Sequence, residues 1–165
     1  MSSSDKFDTF AHEVHKGVYS PPHKLVAFDP GHITGVSIFI DGQLEECEQL
    51  DTHPMSKGID TLNEFITEDI DLIVFEDYRV YSWKADDHIN ASLHTPQLIG
   101  VIKCLAQLKD IKTHSQMAQQ AKGFCTDDRL KEWLYYMPGL KHGRDAIRHA
   151  CYYLLFNLNK PTNNL

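Results

Sequence analysis

The sequence predicts an α/β protein in which a five-stranded mixed sheet is flanked by helices. Two continuous apolar runs, 24–29 and 71–76, have the composition of buried strands, and each ends in a carboxylate. An Asp-Gly dipeptide joins the extended segments 34–40 and 43–50, which indicates a tight hairpin. A helical pattern separates this hairpin from the second apolar run, so we expect that run to lie parallel to the first strand.

The remaining elements follow from apolar periodicity and from turn residues. The topology is a hairpin part of three antiparallel strands, then a helix, a parallel strand, a helix, a second parallel strand and further helices. The expected helices are 56–67, 95–108, 116–122, 126–136 and 142–157, and the fifth strand is expected near 110–114.

Length and composition favour one domain. The 165 residues, 42% of them hydrophobic, are enough for one core and too few for two. We expect the domain to span 24–160, with a mobile N-terminal extension at 1–23 that can carry one or two docked helical turns, and a short tail at 161–165. The polar start lacks the apolar run of a signal peptide, and no window reaches the roughly 18 apolar residues of a membrane span. We therefore expect a cytoplasmic protein with no membrane partner.

The net charge and the cysteines exclude few functional classes of protein. A net charge of −7 argues weakly against unspecific nucleic-acid binding, since a basic stripe can exist on an acidic protein. The four cysteines are scattered and lack the spacing of zinc ligands, so we expect free thiols and no disulfide framework.

Four residues form the candidate catalytic site. Asp29 and Glu76 end the two apolar strands, where neighbouring parallel strands bring their last side chains to one edge. His142 and Asp145 stand three apart at the start of the last helix, and His149 continues the same helical face as a supporting group. Carboxylates and an imidazole that meet at one point can bind the two divalent ions used in phosphodiester cleavage.

Each of these residues alone has an ordinary structural explanation. Asp29 could end a strand in a turn, Glu76 could begin a loop, and His142 and Asp145 could complement a helix terminus. Their joint appearance at strand ends and at a helix start favours the metal site.

These motifs resemble the RuvC-type Holliday junction resolvases, which have an RNase H-like fold. The resemblance rests on Asp29-Pro-Gly-x-x-Thr-Gly after the first strand, on Glu76 after Leu-Ile-Val-Phe, and on His142-x-x-Asp145-Ala at the last helix. It covers about residues 24–157 and is greatest to compact, phage-encoded members.

The resemblance implies a metal-dependent endonuclease that resolves four-way DNA junctions as a homodimer. Asp29, Glu76 and Asp145 would bind two magnesium ions, and His142 would take the position of the fourth ligand. Manganese is the second metal that this ligand set suits, because it accepts imidazole more readily than magnesium does.

A further set of aromatic and basic residues is predicted to contact DNA. The aromatic ones follow Glu76, where the resemblance implies a contact with unpaired bases, and most of the basic ones lie in the C-terminal third. These candidates are Tyr78, Arg79, Tyr81, Lys84, Lys122, Arg129, Lys131, Lys141, Arg144 and Arg148.

Three alternative functions can be compared with this interpretation. A related nuclease acting on other DNA or on RNA:DNA hybrids would use the same site. An actin-like ATPase would need a second such domain, for which the chain has no room. A non-catalytic DNA-binding or scaffold protein of the same fold would leave a carboxylate cluster without metal, which is electrostatically costly.

Overall fold

The computed structural model describes residues 5–78 and 93–160. Its strands are β1 (Lys24–Asp29), β2 (Ile33–Ile40), β3 (Gln43–Asp51), β4 (Leu72–Glu76) and β5 (Lys112–Gln116). Its helices are α1 (Asp5–Val14), α2 (Met55–Phe65), α3 (His94–Leu108), α4 (Ala118–Phe124), α5 (Asp127–Glu132) and α6 (Lys141–Phe156).

The five strands form one mixed sheet in the order β3-β2-β1-β4-β5. Strands β1, β2 and β3 are antiparallel neighbours, while β4 pairs in parallel with β1 and β5 pairs in parallel with β4. The predicted fold class is therefore confirmed. The hairpin between β2 and β3 turns at Asp41 and Gly42, whose φ angles of 48° and 81° match the turn that this dipeptide favours.

Strand alternation divides the core into two layers, one on each face of the sheet. Val26 and Phe28 of β1 point to the layer that packs on α2 and α3. Leu25 and Ala27 point to the layer that packs on α6, α1 and the α5 region. Asp29 continues this second series, so period-two geometry places its carboxylate on the α6 face.

Helix α1 lies within the N-terminal segment 1–23 and packs on the domain. Phe7 and Ala11 are fully buried in the layer beneath α6. The ring of Phe7 contacts Trp133 and Tyr135 with centroids 5.1 and 5.5 Å apart. The helical spacing of its apolar residues was visible in the sequence, but the face that receives them exists only after the C-terminal segment has folded.

Two further boundaries differ from the expectations. Strand β5 lies at Lys112–Gln116 and not near 110–114, because Asp110 turns the chain with a φ of 55° before the strand begins. Helix α5 ends at Glu132, well before 136, because Leu134 adopts a left-handed φ of 62° and the amide of Tyr135 bonds back to the carbonyl of Leu130. The shift of β5 matters for the site, because it adds Gln116 to the sheet.

Candidate active site at the carboxyl edge of the sheet

The carboxylates of Asp29 and Glu76 lie side by side at one edge of the sheet. Phe28 and Phe75 are partners in the parallel β1–β4 register, and the two acids are the next residues of each strand. Both therefore project to the α6 face beyond the apolar part of the layer. The structure thus brings together the two strand-end acids that the sequence singled out.

Two glycines allow the first turn of α6 to lie directly on the hairpin. A Cβ atom at Gly35 of β2 would stand 1.9 Å from the carbonyl oxygen of His142. One at Gly143 would stand 2.5 Å from the Sγ atom of Cys47. Any larger residue at Gly35 would displace the helix start, so this strand position sets how near α6 comes to the edge.

The start of α6 delivers both remaining candidates to the same edge. The amide of His142 donates to Oε1 of Gln49, which fixes the helix start against β3. Nδ1 of His142 lies 2.9 Å from Oδ2 of Asp29. Asp145, one turn further along, is buried, and Lys122 links it to Glu76. All four predicted site residues therefore meet around one point.

Lys122 occupies the gap between two of the acids. Its Nζ atom lies 3.3 Å from Oε2 of Glu76 and 3.2 Å from Oδ2 of Asp145. Helix α4, which follows β5, positions this lysine. Burial lowers the pKa of Lys122, but the negative charges of Glu76, Asp145 and Asp29 have the larger effect and raise it overall. The cluster therefore holds a positive charge at its centre.

Glu76 is oriented by a chain of hydrogen bonds that runs through the core. Nε2 of His149 lies 3.2 Å from Oε2 of Glu76, and the amide nitrogen of Gln116 donates to Nδ1 and to the carbonyl oxygen of His149. Asn157 donates in turn to Oε1 of Gln116. With Nδ1 accepting, the imidazole proton is on Nε2 and is donated to the carboxylate.

The two strand-end acids have opposite pKa shifts. Burial, opposed by the His142 hydrogen bond and aided by the charge of Glu76, raises the pKa of Asp29. Burial also acts on Glu76, but the hydrogen bond from His149 and the charge of Lys122 outweigh it and lower the pKa of Glu76. The protein therefore does not fully offset the desolvation of the ionised Asp29 carboxylate, as expected for a carboxylate that binds a cation.

Carboxylates with an imidazole form a donor set that suits magnesium or manganese. No three carboxylate, imidazole or thiol groups in residues 5–78 and 93–160 converge closely enough to hold an ion as they stand. Lys122 fills the space between Glu76 and Asp145 that a cation would take. The residues fit the metal in chemistry and in charge, provided that the ammonium group withdraws.

Arg148 holds Asp145 and does not face outward. Its Nη1 atom donates to Oδ1 of Asp145, its Nη2 atom to Asp127, and its Nε atom to the carbonyl of Cys125. Only 13% of its side chain is exposed. These bonds favour a role in orienting the carboxylate over the direct DNA contact that the sequence analysis expected.

The other predicted DNA contacts are more dispersed. The guanidinium of Arg144 donates to the carbonyl of Met137 and lies over the ring of Tyr136, and Lys131 is near the same ring. Arg129 stacks on Phe124, with 3.6 Å from the guanidinium carbon to the ring centroid.

The remaining candidates divide between the exposed surface, the core and the part of the chain outside the described residues. Lys141 is exposed at the start of α6, and Tyr78 packs partly on the α2–α3 layer. Arg79, Tyr81 and Lys84 lie outside the described residues.

Two residues contribute more to the site than their sequence pattern indicated. His149 was noted only as a supporting group, although it contacts Glu76 directly. Gln116 was missed because the fifth strand was placed two residues too early. The signal for Gln116 was available, since it aligns with Glu76 in the parallel register of β4 and β5 once the strand bounds are correct.

Comparison with solved structures defines the class of fold. The RuvC of Thermus thermophilus in complex with a Holliday junction substrate matches 87% of this chain and 100% of its own, with a TM-score of 0.64 at 14% identity. A second Thermus thermophilus RuvC structure covers 82% of this chain and 95% of its own, with a TM-score of 0.56 at 14% identity. The yeast mitochondrial Holliday junction resolvase covers 90% of this chain and 84% of its own, with a TM-score of 0.51 at 12% identity.

The chain therefore has the fold of the RuvC-type Holliday junction resolvases, which confirms the resemblance seen in the sequence at the level of the fold. No family model and no curated protein sequence matches it. Across the described ranges, none of the helices is both long and apolar enough to cross a membrane. The four cysteines are free, in line with the expectation.

Proposed function

We propose that this protein is a metal-dependent endonuclease that resolves four-way DNA junctions by two-metal phosphodiester hydrolysis, a crossover junction endodeoxyribonuclease. The observation that carries the proposal is the meeting of Asp29, Glu76, Asp145 and His142 at one sheet edge, where the ammonium group of Lys122 lies between two of the acids. The fold neighbours are named as Holliday junction resolvases, which supports the choice of substrate.

In this proposal Asp29, Glu76, His142 and Asp145 hold the cations. Bound magnesium or manganese would activate the attacking water and stabilise the leaving 3′-oxygen. His149 keeps Glu76 oriented and Arg148 keeps Asp145 oriented, so neither carboxylate has to reorganise when substrate binds. Lys122 lies between Glu76 and Asp145 with 40% of its side chain exposed, so it can turn from the acids to a non-bridging phosphate oxygen.

The partners follow from the same proposal. Two identical cuts in a four-way junction require two identical sites, so we propose a homodimer with branched DNA as its substrate. The aromatic and basic residues between 78 and 84 would contact the crossover from each subunit. Analytical ultracentrifugation with and without a synthetic junction measures the dimer directly, and a monomer in both conditions would contradict it.

The decisive experiment is cleavage of a labelled four-way junction compared with linear duplex, single strand and RNA:DNA hybrid. Wild type, Asp145→Asn and Asp128→Asn are assayed with magnesium, manganese or EDTA. Asp128 is the matched control, since it is an acid of the same region whose side chain is 95% exposed. We expect paired symmetric nicks in the junction that require metal, vanish in Asp145→Asn and persist in Asp128→Asn.

The other outcomes assign the protein differently. Metal-dependent cutting of duplex or hybrid without junction preference would keep the site and replace the substrate. Junction binding without cutting by the wild type, in either metal, would indicate a non-catalytic DNA-binding protein. Loss of junction binding in Asp145→Asn would contradict the assignment of this residue to chemistry.

A further inference from the structure

A second group of potential ligands lies outside the carboxylate cluster. Three histidines from separate elements meet with their rings in contact: His32 in the β1–β2 turn, His53 after β3 and His94 at the start of α3. The ring centroids are 4.4 Å apart for His32 and His53, 4.6 Å for His32 and His94, and 5.4 Å for His53 and His94. We name these three residues the histidine trio.

One ring of the trio has a buried nitrogen without a partner. Only 5% of His94 is exposed, and its Nε2 atom is buried with no hydrogen-bond partner among the described residues. The ring of His94 also hydrogen-bonds the backbone of Thr52. Because Nε2 makes no bond, this one is made through Nδ1, which leaves the lone pair of Nε2 without a partner.

This is the arrangement of a metal-binding histidine. A ligating imidazole commonly donates its other N–H to a backbone carbonyl, which fixes the tautomer and the orientation of the ring. An unsatisfied buried nitrogen is otherwise a cost to the folded state. Burial, together with the neighbouring His32 and His53, lowers the pKa of His94.

Hydrogen bonds of Thr52 hold two of the three elements of the trio together. The amide of Thr52 donates to the carbonyl of His32 over 2.9 Å, and its hydroxyl donates to the carbonyl of Gly31 over 2.5 Å. The same hydroxyl lies 2.8 Å from that of Thr34. Thr52 thus fixes the turn that carries His32 next to the segment that carries His53.

We propose that the histidine trio binds one transition-metal ion of borderline character, such as zinc, with water as the fourth ligand. The three rings do not converge on a single point as they stand. His94 is buried, whereas His32 and His53 are exposed, and coordination requires their side chains to rotate towards its Nε2 atom. Magnesium would not compete, because it prefers oxygen ligands.

Such an ion would tie the Asp29 turn to the end of β3 and to the start of α3. Because metal bound to the folded state adds to its stability, its binding is measurable without any nuclease assay. The proposal is therefore independent of the proposed function.

The test is a titration of the untagged, chelator-treated full chain with Co²⁺, a coloured substitute for zinc, in excess magnesium that saturates the carboxylate cluster. We expect one Co²⁺ per chain, with the visible bands of nitrogen ligation, displaced by zinc. His32→Gln and His94→Gln should each weaken binding by at least about tenfold, the lower end of what losing even an outer partner of a metal ligand costs. His23→Gln is the matched control, because His23 is exposed and remote from the trio.

The outcomes are distinct. Absence of Co²⁺ binding by the wild type would overturn the proposal, and so would binding that both trio variants retain. Should His94→Gln fail to fold by circular dichroism, His32→Gln decides alone, because it removes an exposed side chain. Loss of binding in His23→Gln would point to unspecific surface coordination and would also refute the trio.

Discussion

The two faces of the sheet differ in the polarity of the residues that they carry. The face under α2 and α3 is apolar along the whole length of β1 and β4, through Val26, Phe28, Ile73 and Phe75. The face under α6 is apolar at one end and polar at the other, where the strands end in Asp29 and Glu76. The first face supplies stability by burial, and the second gives up part of that stability to hold charges.

The comparison teaches that one helix serves two purposes. The C-terminal part of α6 buries Leu154 and Leu155 against the apolar end of its layer. Its first turns carry His142 and Asp145 over the polar end. The apolar packing fixes the position of the helix, and the close approach at Gly35 converts that position into a defined site.

The largest expected effect on stability breaks the apolar face. Ile73→Ala leaves a cavity between β4 and the α2–α3 layer, and a buried Ile→Ala change typically costs about 2–5 kcal/mol. Urea unfolding should show the loss, whereas the rate of junction cleavage per folded molecule should stay close to that of the wild type. A matching fall in that rate would show that the two faces are not separable.

A larger side chain at Gly35 should disturb the polar face by displacing the start of α6. Gly35→Ala places a methyl group against the backbone of His142, and overpacking of this kind costs about 1–3 kcal/mol. The start of α6 must move, so the rate of junction cleavage should fall strongly although the loss in free energy of unfolding is moderate. Ser37→Ala is the matched control on the same strand and face, because the buried Ser37 hydroxyl has no partner within the described residues. Equal effects of both changes on cleavage would contradict the role of Gly35.

Removing one charge from the polar face should stabilise the metal-free protein. The pKa of Asp29 is raised in the folded state, so the folded protein binds more protons than the unfolded chain between the two pKa values. Stability is therefore lost as the pH rises through the folded pKa. Asp29→Asn should raise the melting temperature in EDTA at pH 7, where each kcal/mol corresponds to about 2–4 °C for a domain of this size.

The same variant should respond less to magnesium. Wild type is expected to gain melting temperature when the ion is added, because the ion compensates the carboxylates. Asp29→Asn should gain much less. A melting temperature that falls in EDTA, or an undiminished response to magnesium, would show that Asp29 is already compensated by the protein alone.

The smallest effect is expected from an ion pair near the other end of β1. Lys24 lies 2.6 Å from Asp69, and hydrogen bonds from Lys24 and Thr67 lower the pKa of Asp69 to about 2. The contribution is present above the ordinary pKa and is lost as the pH falls towards 2. Because Asp69 is exposed, Asp69→Asn should cost well under about 1 kcal/mol at pH 7. The difference between the urea midpoints of variant and wild type should be smaller at pH 3 than at pH 7 and should vanish only near pH 2.

Much of the fold could be predicted because it depends on local patterns. Apolar runs, the Asp-Gly turn and helical spacing predicted the five strands and five of the helices, with errors at β5 and α5. The position of α1 could not be predicted, since its buried Phe7 contacts the rings of Trp133 and Tyr135, which come more than a hundred residues later. The catalytic roles of the site residues remain a proposal. The structure places the four main candidates, Asp29, Glu76, His142 and Asp145, close together.

The sequence by itself determined which residues end the strands and which begin the last helix. Period-two alternation and strand order suffice for that, because both are properties of short segments. Only the tertiary structure decided that Lys122 lies between Glu76 and Asp145, that Arg148 is occupied by Asp145 and Asp127, and that His149 reaches Glu76. Those contacts join elements far apart in the chain, and their geometry is set by how closely α6 packs on the sheet.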